Sequence, residues 1–341
     1  MSDNFDSQNE EVKNSPIENN NTEVKPEKKA KNKGMIVLIV ILAIAFLFSF
    51  AKDIFSKDSG TKTKSSNSSG YIAELYIEGT IQSENEQYNQ QWLLDTISEL
   101  KNDTSNLGTI LFINSPGGSV YESDEVYLAL MDYKNEKPLW AYLGPMAASG
   151  GYYIACSAEK IIANRNTLTG SIGVIAGQSF DLTEFMSKHG IKMNTITAGK
   201  NKNMGNIDQP LTAEQRAILQ SVADECYDQF TQIVSESRNL PIETVKTLAD
   251  GRIYTAQQAK NNQLIDDVNE FAKAKLDMEN TIFEGKKVTF TEYKYKKSKN
   301  FYDYFFDMYS NIKGLNSQTE FIEKIMAESN QIDYPAFIYL Q

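Results

Sequence analysis

The chain has 341 residues, with 34 Lys and Arg against 45 Asp and Glu, a formal net charge of -11, and 41% apolar residues. That acidity argues against a face that tracks nucleic-acid phosphates. A single histidine, His189, argues against a histidine-ligated metal centre, and the two distant cysteines, Cys156 and Cys226, form neither a CxxC pair nor a disulfide framework. The expectation is therefore chemistry with no metal and no cofactor, in one or two globular domains.

Residues 1–33 are rich in Asn, Glu, Lys and Ser, and are expected to be a disordered tail. Five lysines lie between Lys25 and Lys33, and an uncharged apolar run follows from Met35 to Ala51. At about 1.5 Å per residue that run sits at the short end for crossing ~30 Å of hydrocarbon. It predicts one transmembrane helix at 34–51, a cytoplasmic N-terminus, and everything after residue 52 outside the cell membrane. The rival reading is a signal peptide cleaved after Ser49-Phe50-Ala51; the long, partly acidic segment before the run speaks against it. A Ser/Lys/Gly linker covers 52–70.

From Tyr71 short apolar runs alternate with helical stretches, which predicts an α/β domain. Strands are expected at Ala73–Ile77, Gly108–Ile113, Pro138–Leu143, Lys160–Ala163 and Ser171–Ile175. The run at 108–113 is continuously apolar, as a strand buried on both faces would be. Helices are expected at Trp92–Leu100, Val120–Tyr133, Tyr152–Ala158, Leu182–Lys188, Ala213–Ile233 and Glu243–Leu248. His189-Gly190 would close the fourth of these with a left-handed glycine.

Two glycine-rich turns join a strand to a helix, Asn114-Ser-Pro-Gly-Gly118 and Gly144-Pro-Met-Ala-Ala-Ser-Gly-Gly151. Backbone N–H groups at such turns can bind a phosphate or an oxyanion, and no GxGxxG or P-loop pattern favours phosphate. Ser149 after a strand and before two glycines fits an acyl-transfer nucleophile with the Gly150 N–H beside it. Spacing alone allows a plain helix N-cap equally well.

Four segments carry a resemblance: Asn114-Ser-Pro-Gly-Gly118, Met146-Ala-Ala-Ser-Gly-Gly-Tyr-Tyr-Ile154, Thr167-Leu-Thr-Gly-Ser-Ile-Gly-Val174 and Gly251-Arg-Ile-Tyr-Thr-Ala-Gln-Gln-Ala259. In this order the chain resembles the signal peptide peptidase A family, membrane-anchored serine proteases related to ClpP, in its short form with one catalytic domain. The resemblance implies a ClpP/crotonase-like fold of repeated ββα units over residues 71–296, with an aromatic-rich segment at 297–341 whose role stays open between packing on a neighbour and occupying the peptide groove. It implies Ser149 as nucleophile and Lys202, in Gly199-Lys-Asn-Lys202, as general base. Ser171 would orient the lysine amine. Gly150 and Gly118, preferred to Gly117, would supply the oxyanion N–H groups, and Ile172, Gly173 and Val174 would form the edge along which a peptide lies extended.

Lysine ordinarily titrates near 10.4, so a lysine base must be desolvated or crowded by positive charge. Lys200 is a decoy two positions earlier, and Asn201 and Asn203 stand where the family usually has an aromatic residue and Asp. His189 is the competing base, read here as a helix-capping residue. The resemblance further implies a ring-shaped homo-oligomer whose sites are shared between protomers, acting on remnant signal peptides and other unfolded or apolar peptides. A non-catalytic, membrane-bound peptide scaffold of the same fold is the alternative. A crotonase-type acyl-CoA enzyme shares the wider fold and oxyanion logic, but an extracytoplasmic domain would meet little CoA.

Overall fold

The computed structural model describes residues 70–297. The expected tail, transmembrane helix, linker up to residue 69 and aromatic segment from 298 onward lie outside the described residues. Among those described, no helix is long and apolar enough to cross a membrane.

In chain order the elements are β1 (Tyr71–Glu78), α1 (Gln90–Asn102), β2 (Asn106–Ser115), α2 (Val120–Lys134), β3 (Leu139–Ala148), α3 (Gly150–Ala155), β4 (Lys160–Ala163), β5 (Leu168–Gly170), α4 (Thr183–Lys188), α5 (Ala213–Arg238), α6 (Ile242–Leu248), β6 (Ile253–Thr255), α7 (Ala256–Asn261), β7 (Asp267–Val268), α8 (Phe271–Ile282) and β8 (Thr289–Tyr293). One sheet runs β6-β5-β3-β2-β1-β8, with β4 also paired to β3 and β7 to β4. Every pairing is parallel except β5 with β6. The expected α/β class is the one observed.

As the unbroken apolar run 108–113 requires, β2 is covered on both faces. Leu111 and Ile113 join the large cluster under α1, α2 and α3, while Ile110 packs with Ile72, Trp140 and Met278 under α8. The expected long helix at 213 begins with a capping box, in which Thr212 and Gln215 each bond the other's backbone, and it extends to Arg238. Its second half packs into the body through Phe230, Thr231 and Val234, while in its first half only the capping Gln215 is buried.

One expected strand is corrected. Ser171–Ile175 is not one of the ladder strands; the strand is β5, three residues upstream. Ser171 has φ +50°, and a left-handed residue ends an extended run. The helix expected at 152–158 likewise starts earlier, at Gly150, directly after the serine.

The edge of β3 is divided between two partners. Trp140–Leu143 pairs with β4, and Met146–Ala148 pairs with β5. Against β2 the register slips, so that Ile113 faces Leu143 but Ser115 faces Ala147. Gly144 and Pro145 are the extra residues, and Pro145 has no N–H to give a ladder. Thr167 sustains the bulge: its hydroxyl lies 3.0 Å from the Leu143 carbonyl and 2.7 Å from that of Gly144, and Thr169 donates to Ala147 O at 2.6 Å. This bend delivers the end of β3 to the site. Thr167→Val keeps the shape and strips the donor from buried carbonyls, so it should cost about 1–3 kcal/mol, measured by denaturant unfolding. An unchanged midpoint would show that the bulge stands without it.

Candidate active site

Ser149 is the single residue between β3 and α3, and its backbone is unusual: φ is +53° and ψ is -122°. A non-glycine residue held there is strained, and such strain persists only where neighbours fix both sides. Here Ser149 N donates to Gly170 O at 2.8 Å, and Ser149 O accepts from Tyr153 N at 2.9 Å. The side chain is 1% exposed, and its hydroxyl caps nothing and has no hydrogen-bond partner among the described residues. The N-cap reading therefore fails at the side chain. A sharp turn from strand to helix with an unengaged hydroxyl is the geometry an attacking serine needs.

Two buried amides flank it. Gly150 opens α3, and Gly118 closes the turn after β2; neither N–H finds an acceptor among the described residues. Gly118 N lies 3.4 Å from where a Gly150 Cβ would sit, so the two amides are neighbours. Gly117, by contrast, donates its N–H to Ser115 Oγ at 3.1 Å. That frees Gly118 and not Gly117 for an oxyanion. The turn is held from outside by Ile81, whose N–H donates to Gly117 O at 2.9 Å and whose carbonyl accepts from Ser119 N at 2.8 Å.

The glycines here are steric necessities. A Cβ on Gly117, already at φ +104°, would lie 2.7 Å from Ser149 Cβ. One on Gly118 would collide with the Ile81 carbonyl, and one on Gly150 with the Ser123 hydroxyl beneath it.

Ser171 stands next to Ser149, because Ala148 and Gly170 are register partners across β3 and β5. It too has left-handed φ, is buried, and has a hydroxyl with no partner among the described residues. Its N–H donates to Arg252 O at 2.8 Å, and Gly251 N donates to Ile172 O at 3.1 Å. The Gly251-Arg252 turn thus fixes Ser171, and Arg252 is braced in return by the carboxylate of Asp250, which the guanidinium holds down to about 2. Ile172 is buried; Gly173 and Val174 are half-buried and continue the segment.

Lys202 makes no hydrogen bond with these groups within the chain. It is exposed, in the turn-rich stretch after Gly199, and its ammonium makes no hydrogen bond or ion pair among the described residues. Lys200 is engaged: it is ion-paired with Glu214. Asn203, standing where the family has Asp, accepts from Asn206 Nδ2 at 2.7 Å, and its carbonyl accepts from Gln209 Nε2 at 3.2 Å. His189 ends α4, exposed, with its ring 4.4 Å from that of Phe185, and Gly190 follows at φ +68°. That is the capping role expected of it.

Sequence reasoning missed Ser123, Gly170, Ile81 and Arg252 as supports of the site. It missed the roles of Tyr152 and Tyr153 as well. Tyr152 donates to Leu264 O at 2.6 Å and Tyr153 to Asp124 Oδ1 at 2.6 Å, locking the short α3 helix in place. Beneath that helix Cys156 is fully enclosed, and burial pushes its thiol up to about 12, so it is no nucleophile. No cluster of metal-ligating side chains exists among the described residues.

Residues 131–282 match the model of Peptidase family S49. Over that stretch the chain is similar to the S49 peptidases. The matched stretch contains Ser149, Ser171 and Lys202. An Enterococcus faecium protein provisionally named signal peptide peptidase SppA is 36% identical over 184 residues, 54% of this chain and 53% of its own. A Synechocystis protein provisionally named a protease is 42% identical over 154 residues, 45% of this chain and 55% of its own. The chloroplastic serine protease SPPA of Arabidopsis thaliana is 33% identical over 53% of this chain and 27% of its own. The chain spans about half the length of the first two. Among solved structures, a ClpP1 mutant from Listeria monocytogenes overlaps 59% of this chain and 92% of its own, at 18% identity and a TM-score of 0.40.

Gly150→Ala should abolish peptide hydrolysis in an assay of the full chain. Adding Ser123→Ala should restore a measurable part, because the collision is with the Ser123 hydroxyl while its Cβ stands off at 3.4 Å. A double variant as inactive as the single would show that the amide itself, and not the crowding, was disturbed.

Proposed function

We propose that this chain is a membrane-anchored serine endopeptidase that cleaves unfolded or apolar peptides, remnant signal peptides among them, at the extracytoplasmic face of the membrane. The observation that carries the reading is the strained, buried Ser149 with a free hydroxyl beside two unengaged amides, Gly118 and Gly150. In this reading the neutral Lys202 amine takes the Ser149 hydroxyl proton as Oγ bonds to the peptide carbonyl carbon. The oxyanion is held by the Gly118 and Gly150 N–H groups. The lysine ammonium then passes its proton to the departing amine, leaving an acyl-serine. A water, deprotonated by the same lysine, hydrolyses the acyl group and regenerates both residues. Ser171 hydroxyl accepts from the lysine amine and turns its lone pair toward Ser149.

Within one chain Lys202 is exposed and Ser149 buried, with no hydrogen bond between them, and a lysine base requires desolvation. We therefore take the site to be completed between protomers of a homo-oligomeric ring, with Lys202 of one copy entering the Ser149 site of the next. The peptide would extend along Ile172, Gly173 and Val174 by strand addition. The single-pass helix at 34–51, the 71–296 domain boundary and the repeated ββα spiral belong to the same proposal.

The test is hydrolysis of a fluorogenic apolar peptide by the full chain in detergent. Ser149→Ala and Lys202→Ala should each lower turnover at least ~10³-fold, while Lys200→Ala and His189→Ala retain most of it. Loss with Lys200→Ala or His189→Ala, and not with Lys202→Ala, would reassign the base. Full activity in Ser149→Ala would overturn the serine mechanism.

A further inference from the structure

The exposed apolar side chains are unevenly distributed. Of twelve large ones among the described residues, seven lie between Phe180 and Ile207, on the arm that bears Lys202. Ile196, six positions before that lysine, is wholly exposed. From Lys192 to Thr197 the arm has no regular secondary structure, and no backbone group in it has a partner among the described residues. Such a segment is built to lie on something.

Near the serine, α2 has a matching face. Its inward side is committed: Ser123, Val126, Tyr127 and Leu130 are buried, with Ser123 directly beneath Gly150. Its outward side shows Tyr121 at 69% and Leu128 at 53% exposure, with Glu125 between them at helical spacing. Glu125 has no polar partner among the described residues, and neither has Lys192 on the arm. The charges are complementary throughout: α2 carries four carboxylates and one lysine, whereas residues 177–207 carry four lysines and two carboxylates in a chain of net charge -11.

The arm leaves its own domain beside Gly251, on the β5–β6 side. A head-to-tail contact that closes a ring needs a receiving face different from the giving one. α2 starts immediately after the Gly118-Ser119 turn, and its Ser123 lies against Gly150, so it borders the Ser149 turn through different residues from those the arm leaves by.

We propose that the outward face of α2 receives the 177–207 arm of a second copy of this chain, with Ile191 and Ile196 against Tyr121 and Leu128, and Lys192 facing Glu125. This rests on the shared-site reading above. The contact seats the incoming Lys202 over Ser149, so α2 sets which protomer supplies the base.

The test uses the full chain in detergent, reading peptide hydrolysis and oligomer mass together. Glu125→Lys and Lys192→Glu should each slow hydrolysis roughly threefold, and the two combined should return it to within about twofold of the parent. Leu128→Asp and Ile196→Asp should each lower it about tenfold, with loss of oligomer. Single reversals without effect, or a double variant whose losses multiply, would overturn this face. Mixing Ser149→Ala with Lys202→Ala chains separates the two levels of the argument. Restored activity in the mixture with failure of the charge swap refutes only the docking face. No restoration from chains that do assemble refutes the shared site, and the docking proposal with it.

Discussion

Ser149 bends the backbone into a region that residues with a side chain avoid, and the rest of the site is arranged so that it must. A left-handed residue of this kind costs on the order of 1–3 kcal/mol unless its surroundings over-determine it. The bulge at Gly144-Pro145 swings the end of β3 away from β2, β5 takes the Ser149 amide, and α3 takes its carbonyl. Tyr152 and Tyr153 then pin α3 from either side. The result is a hydroxyl presented without a partner and an amide, Gly150, presented without an acceptor. A relaxed backbone would satisfy one or the other. The same strain recurs one strand over at Ser171, held by Arg252, so two adjacent strand ends each carry a serine whose hydroxyl has no partner among the described residues.

That rigid half of the site contrasts with the half that carries the lysine. Between Gly177 and Pro210 nearly every residue is at least partly exposed, with Met186 the buried exception. One backbone bond, Leu182 N to Ile207 O at 2.9 Å, ties its two ends, and its side-chain hydrogen bonds are made by Asp181, the asparagines and the Lys200–Glu214 pair. Physically this division suits a lysine base. Within a body already packed, a buried unpaired lysine would carry a desolvation penalty in every molecule; on an arm, that penalty is met only where the arm meets a second surface and its apolar residues are covered at the same time. Nucleophile and oxyanion donors need preorganisation, whereas a base that acts only in the assembled site needs delivery.

The departures from the family pattern fall on the arm and not on the rigid half. Asn201 and Asn203 stand where an aromatic residue and Asp are usual, and both are absorbed into polar contacts with Glu214, Asn206 and Gln209. The glycines around the strained serines have no such latitude, because a side chain on them would collide with Ile81, Ser123 or Ser149. The steric demands are strict where backbone meets backbone and lenient where a loop faces solvent.

Much of this was legible in the chain before any coordinates. Period-two and period-3.6 patterns locate β1, β2, α1, α2 and α5, because burying one face of an element leaves a mark at fixed spacing. Glycine turns after two strands mark where backbone amides would gather, and Ser149 before a pair of glycines is a candidate nucleophile that spacing alone leaves open to a plain N-cap. The small elements β6, β7 and α7 escape such reading, since two to six residues are too few to carry a period. So does the ending of β5 at Gly170: the run Ser171–Ile175 has strand composition, and only the tertiary pairing of Ser171 with Arg252 turns its backbone the other way. The sequence by itself determined the α/β class, the candidate serine and the glycines that must stay glycine, because those depend on local sterics and on one-dimensional pattern. The tertiary structure alone decided that Gly118 and not Gly117 has a free amide, that Ser171 stands beside Ser149, and that Lys202 is exposed with no hydrogen bond to either serine. Each of these is a relation between segments distant along the chain, and no spacing in the sequence encodes which amide a neighbouring hydroxyl or carbonyl has already taken.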